Sequence, residues 1–257
     1  MQIGISTSCY YPDTTEKSLE VLLKAGVKTL EVFFNTHSEL EEAYLMQLRR
    51  ETDKAGARVV AVHPYTSGME GLLFFSDYDR RFQDAREYYK KYYRAANLLG
   101  ADIVVFHGAY KDQVMDLEEY ARRMDILDGD AIGFGVRLAQ ENVERTRSRS
   151  PEFLAQLRSL RPTQRFVFDL KQAVRSQVDP YAVLQAMGEG VVHLHLSDHT
   201  ADSDCVPPGL GETDYTRLFE YLSQSGYSGT AVVELYRKNF STQLQLDQSL
   251  AFLRTFY

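Results

Sequence analysis

The chain is poor in cysteine, has no long apolar run and carries no excess of positive charge. Its two cysteines, Cys9 and Cys205, stand far apart and match no metal-finger or redox spacing, so they read as free thiols in a reducing compartment. No apolar segment approaches the roughly 20 residues that a membrane-spanning helix needs. The opening stretch, MQIGISTSCY, lacks a basic region and a long apolar core, so neither signal peptide nor anchor is expected there. A net charge of -7 disfavours a partner built on a phosphate backbone. No glycine-rich phosphate loop follows the first strand candidate, which counts against an open doubly wound sheet, the second choice of fold. No linker, low-complexity tract or charge block divides the sequence. One domain over residues 1–257 is expected, cytoplasmic, with no membrane or nucleic-acid partner and with a homo-oligomer left open. A chain of this length can bury about 75% of its unfolded surface and needs no staples.

What is present is a repeated pattern. Four times an amphipathic stretch runs into a glycine and then a short β-branched run: KAGVKTLEVFF, KAGARVVAVHP, LLGADIVVFHG and QSGYSGTAVVEL. Gly26, Gly56, Gly100 and Gly226 sit where a helix ends in a left-handed turn. Ser38 with Glu41 reads as a capping box, and Asp179-Pro180 as a cap followed by proline in the first turn. Strand candidates lie near Ile3–Ser6, Thr29–Phe33, Arg58–His63, Asp102–His107, Val136–Glu141, Arg165–Leu170, Val191–Leu196 and Thr230–Leu235. Helical patterns alternate with them at Thr15–Ala25, Ser38–Ala55, Asp79–Leu99, Leu117–Leu127, Pro151–Leu160, Pro180–Met187, Tyr215–Ser225 and Thr242–Phe256. Eight units of about 32 residues each have the size of a βα repeat, and the pattern predicts a closed (β/α)8 TIM barrel.

Side-chain parity then places an acid or an imidazole at the inner end of nearly every strand. In Val191-Val192-His193-Leu194-His195-Leu196, the set Val192, Leu194, Leu196 faces one way and the two histidines the other. The same count turns Val60 and Val62 towards the helices and Ala61 and His63 inward. It also turns inward Glu31, His107, Glu141, Asp169 and Glu234. Functional residues of such barrels gather at the C-terminal ends of the strands, and buried charges must be paired or bind metal. Two glutamates, an aspartate and a histidine on four consecutive strands suit a divalent cation, Mn²⁺ or Mg²⁺ first and Co²⁺ or Zn²⁺ next. Such an ion can grip the carbonyl and neighbouring hydroxyl of a sugar, while glutamates remove and return a C–H proton.

HLHLSDH followed by PPGLGETDYTRLFEYLSQSGYSGTAVVEL resembles the C-terminal half of the xylose-isomerase-like barrel family of sugar isomerases and epimerases. LAQENVE around Glu141 and FVFDL around Asp169 are similar to its fifth- and sixth-strand motifs, and VAVHPY and VVFHGAY to its third- and fourth-strand histidine motifs. The resemblance implies metal ligands at Glu141, Asp169, His195 and Glu234. Glu141 and Glu234 would double as the acid/base pair. His63 and His107 would line the site of a small carbohydrate substrate; beside the resemblance, Gln172 can hydrogen-bond a substrate hydroxyl and inward-facing Glu31 is expected to meet the substrate too. One departure stands out: the family often carries histidine three residues after the sixth-strand aspartate, where this chain has Gln172.

Two rival functions share the barrel. Endonuclease IV, a zinc-dependent DNA repair enzyme, needs further histidines for a three-metal cluster, and Gln172 replaces one. A non-catalytic sugar-binding barrel is the other rival. Among smaller signals, the aromatic pairs Tyr10-Tyr11, Phe33-Phe34 and Phe74-Phe75, with Tyr65, Tyr110 and Tyr236, follow several strands and suit either sugar faces or loop packing. Lys171, Arg175, Arg237 and Lys238 lie just beyond strand ends and read first as solvated charge, with a grip on a substrate phosphate or carboxylate as the alternative; His193 reads as a structural residue below His195, and Asp198 and His199 as candidates to orient the metal ligands.

Overall fold

In the computed structural model, which describes residues 1–256, the β-branched runs become short strands. These are β1 (Gln2–Ser6), β2 (Thr29–Phe33), β3 (Arg58–His63), β4 (Ile103–Phe106), β5 (Arg137–Glu141), β6 (Arg165–Asp169) and β7 (Val191–Leu196). They are followed by β8 (Asp198–Thr200), β9 (Ser203–Val206) and β10 (Thr230–Val233). Eight of them, β1 to β7 and β10, pair in parallel and close into a barrel, with β10 lying between β7 and β1. The fold is the expected TIM barrel. Strands β8 and β9 form a small antiparallel ribbon that the sequence pattern does not reveal.

The helices are α1 (Thr15–Lys24), α2 (Glu42–Lys54), α3 (Glu70–Phe74), α4 (Asp79–Leu99) and α5 (Leu117–Gly133). After them come α6 (Pro151–Leu160), α7 (Leu170–Arg175), α8 (Pro180–Met187), α9 (Tyr215–Gln224) and α10 (Gln243–Leu253). The four glycines predicted to end helices have φ between 60° and 81°, as a left-handed turn requires. Asp179 caps α8 through its side chain, with Pro180 in the first turn. The capping box at Ser38 and Glu41 does not form: His37–Leu40 is a 3-10 turn, and α2 begins one residue after Glu41 with no side-chain cap. Helix α4 buries Phe82, Ala85, Tyr89, Tyr92, Ala96 and Leu99 along one face, the spacing seen in the sequence. Each large side chain so buried contributes roughly 1.5–3 kcal/mol.

Two β-bulges correct the parity count. Between β2 and β3, Leu30 pairs with Val59 and Glu31 with Ala61, so Val60 is the extra residue. Between β6 and β7, Phe166 pairs with Val191 and Val167 with His193, so Val192 is extra. Val60 and Val192 therefore do not face the helices. Both pack into the barrel interior with Ala61, Ile103, Val105, Ala139 and Val167. A bulge shifts the alternation by one residue, and past it His63, His193 and His195 face inward as expected.

Candidate metal centre and active site

Above that small apolar plug the inward residues turn polar. From β7, His195 aims Nδ1 at three carboxylates: Glu141 Oε1 of β5 at 3.4 Å, Glu234 Oε2 just past β10 at 3.4 Å, and Asp169 Oδ2 of β6 at 3.7 Å. One donor atom from each of the four lies within 4.8 Å of all the others. Tetrahedral ligands about 2.1 Å from a common ion would stand about 3.4 Å apart, close to these separations. Buried His195 Nδ1 and Asp169 Oδ2 make no hydrogen bond. Three acids and one imidazole converging on one point, with buried donors left unsatisfied, fit a divalent cation.

The cluster is held from behind. Glu31 is fully buried and accepts from Ser6 Oγ at 2.9 Å, while its Oε2 lies 3.0 Å from His195 Nε2 and 3.4 Å from His193 Nε2. Glu31, expected from its inward position to meet substrate, sits instead beneath His195 and orients the ring. Asp169 spends its other oxygen, Oδ1, on the backbone N–H of Gln172, capping α7. Burial pushes Glu31 and Glu141 up, but the neighbouring imidazoles outweigh it and hold both carboxyls well below the usual range. Burial alone would lower His195; the charges of Glu31, Glu234 and Glu141 raise it well above an ordinary histidine. Asp169 goes the other way, raised chiefly by burial.

A second group touches the first through Glu141. His107 Nε2 lies 3.0 Å from Glu141 Oε2 and 3.2 Å from His63 Nε2, and the three form another cluster able to hold an ion. Phe33 packs against His63 at 4.7 Å between ring centroids. His63, His107 and Gln172 line a cavity of about 320 Å³ together with Glu141 and Glu234. It shares Phe33, Lys171, Glu234 and Tyr236 with an adjoining cavity of about 360 Å³. Gln172 is partly committed, its Oε1 accepting from the Glu144 backbone N–H at 3.1 Å. A larger cavity of about 730 Å³ opens among the strand starts at Arg58, Arg137 and Arg165, and none of the expected site residues lines it.

The aromatic residues divide. Phe33, Tyr65, Tyr236 and Tyr11 line the mouth, whereas Tyr10, Phe34, Phe74 and Phe75 are buried in the core. Asp198 does not orient the metal ligands. Its two carboxylate oxygens accept from the backbone N–H groups of His199, Gly209, Gly211 and Thr213, pinning the loop ahead of α9.

Two buried groups are not evident from the sequence. Lys171, which reads as solvated charge, folds back into the mouth and is 4% exposed. Its Nζ lies 2.8 Å from Glu234 Oε2 and 3.2 Å from Asp169 Oδ2. Glu70 of α3 is fully buried and accepts from Tyr89 Oη at 2.7 Å and from the backbone N–H groups of His107 and Gly108. It fixes the turn that carries His107. Spacing does not find Glu70, because it lies in α3, between the strand at Arg58–His63 and the helix at Asp79–Leu99, where the sequence pattern predicts no element.

Fold and cluster together define a class: a closed β/α barrel whose mouth gathers carboxylates around an imidazole. A family model described as xylose isomerase-like TIM barrel matches residues 19–256, and the chain belongs to that family. An uncharacterized protein of Mycobacterium tuberculosis is 26% identical over 99% of this chain and 97% of its own length. One of Mycobacterium leprae is 25% identical over 100% and 98%. Among solved structures, a D-tagatose 3-epimerase-like protein superposes with a TM-score of 0.81 at 18% identity, covering 100% of this chain and 97% of that one. A D-psicose 3-epimerase from Clostridium cellulolyticum H10 gives 0.79 at 16% identity over 99% of each chain. The IolI protein, solved with a zinc atom, gives 0.80 at 18% identity over 100% and 99%. At these identities the likeness is one of fold. No helix among the described residues is long and apolar enough to cross a membrane.

Proposed function

We propose that the protein is a divalent-metal-dependent isomerase or epimerase of a sugar or sugar derivative. The observation that carries this reading is the convergence of Glu141, Asp169, His195 and Glu234 on one point at the mouth of the barrel. Those four residues would hold the ion, which when bound supplies a positive charge to polarise a substrate carbonyl and offset the charge left by a departing C–H proton. Mn²⁺ or Mg²⁺ suits three carboxylates best, and the zinc atom in the IolI structure keeps Zn²⁺ in the set to be tested. Glu234 and Glu141, three strands apart in the barrel, remove and return the proton. Phe33, Tyr65 and Tyr236 offer faces to the apolar side of a sugar ring, and His63 and His107 line the same cavity with their ring nitrogens turned to Glu141 and to each other. The epimerases among the structural neighbours support the same substrate class.

The test is deuterium uptake at the substrate C–H from heavy water, screened over free and phosphorylated ketoses with metal-loaded protein. Uptake by the wild type that disappears in Glu234→Gln, with the circular dichroism unchanged, supports the reading; uptake retained in the variant would falsify the role of Glu234 as base. Sugar binding with no uptake at all would point to the non-catalytic barrel.

One observation favours a second reading. The His63, His107 and Glu141 cluster shares Glu141 with the first, as in a two-ion centre for phosphoester hydrolysis. Metal analysis separates the two: about one tightly held ion per chain for the isomerase, two for the hydrolase.

A further inference from the structure

Lys171 puts a permanent positive charge where the ion is expected. The lysine sits in the first turn of α7, and its ammonium passes the Tyr236 ring at 5.1 Å from the centroid before reaching the carboxylates. The oxygens it meets, Glu234 Oε2 and Asp169 Oδ2, are the ones turned towards His195 Nδ1. The contact to Glu234 is a hydrogen bond, while that to Asp169 has ion-pair distance without hydrogen-bond alignment. At 4% exposure the ammonium has little water to fall back on. Its charge is therefore committed to these two acids.

We infer that Lys171 is a built-in counter-ion that competes with the divalent metal for Asp169 and Glu234. The inference rests on the proposed metal site. Three carboxylates gathered in a buried cradle repel one another, and without an opposing charge they would push the mouth open. Alongside His195, which faces all three acids, Lys171 supplies such a charge from within the chain, so the cradle keeps its shape when no ion is bound. The same ammonium repels an arriving dication and occupies lone pairs that the dication needs. Site integrity and metal affinity are thereby set against each other at one residue. A carboxylate cradle of this kind lacking the lysine would hold metal more tightly and depend on it for folding.

The experiment compares wild type, Lys171→Met and Lys171→Gln, stripped with chelator and titrated with Mn²⁺ or Zn²⁺ alone by calorimetry, with melting temperature recorded in chelator and in metal. The expected result is a dissociation constant at least tenfold lower in both variants. Their chelated melting temperature should fall below that of the wild type, and metal should raise it by a larger step. A variant that folds only when metal is added supports the inference equally. Equal dissociation constants in all three proteins would leave the metal site standing and overturn the role of Lys171. Weaker binding in both variants would overturn it too, making the lysine a support for the ligands and not their competitor. No metal binding by any of the three would sink the metal site and this inference together.

Discussion

Glu31 Oε2 stands 3.0 Å from His195 Nε2, on the side of the ring away from the three carboxylates that face Nδ1. The imidazole thus donates one nitrogen backwards and presents the other forwards. A ligand histidine held in this way has a fixed tautomer and a fixed plane.

Glu31→Gln should therefore weaken metal binding without removing any ligand. The expected loss is about 10- to 100-fold in affinity, the range typical of groups that orient a metal-bound histidine. Calorimetric titration of the chelated protein with Mn²⁺ or Zn²⁺ checks it. An unchanged affinity would mean that packing alone orients His195.

Glu70 gives a pH dependence with a definite sign. Burial pushes its carboxyl up to about 8 against the pull of the Gly108 and His107 N–H groups and the Tyr89 hydroxyl, from an ordinary value of 4.5. The folded chain therefore holds a proton that the unfolded chain releases between these two values. The stability tied to that proton is complete below about pH 4.5 and is lost as the pH rises to about 8. Glu70→Gln can still accept from both N–H groups and cannot titrate. Melting temperature followed over this range should decline more steeply in the wild type than in the variant, by an amount on the order of a few kcal/mol in stability. Parallel curves would contradict the assignment.

Much of the fold was legible because helix ends and strand starts carry local chemistry. A glycine at a left-handed helix end followed by a β-branched run needs no tertiary information, and every glycine so used falls where expected. Helix α5 outran its expected end at Leu127, since Gly129 and Gly133 are poor helix residues that packing overrides. The bulges at Val60 and Val192 were hidden, because one extra valine in an apolar strand leaves composition unchanged while altering which face it meets. The direction of Lys171 was hidden too. A long side chain after a strand end can reach outward to water or back to a charge, and only the carboxylates converging from β6 and β10 decide between them.

Asp198 carries the loop before α9 on four backbone hydrogen bonds. Asp198→Ala leaves these part-buried N–H groups without their acceptor, at about 1–3 kcal/mol for each that water cannot reach. The expected loss is about 2–4 kcal/mol of unfolding free energy, with hydrogen-exchange protection lost first at Gly209, Gly211 and Thr213. Denaturant unfolding and amide exchange measure the two. Intact protection at those three amides would mean that the aspartate is dispensable.

A shared ion is what the four converging side chains imply most directly. Crystals of the protein grown with Mn²⁺ or Zn²⁺ and measured near the metal absorption edge should show an anomalous peak between Glu141, Asp169, His195 and Glu234, absent in His195→Ala. A metal-loaded protein with no peak among those four side chains, or with the peak unchanged when His195 is removed, would contradict it.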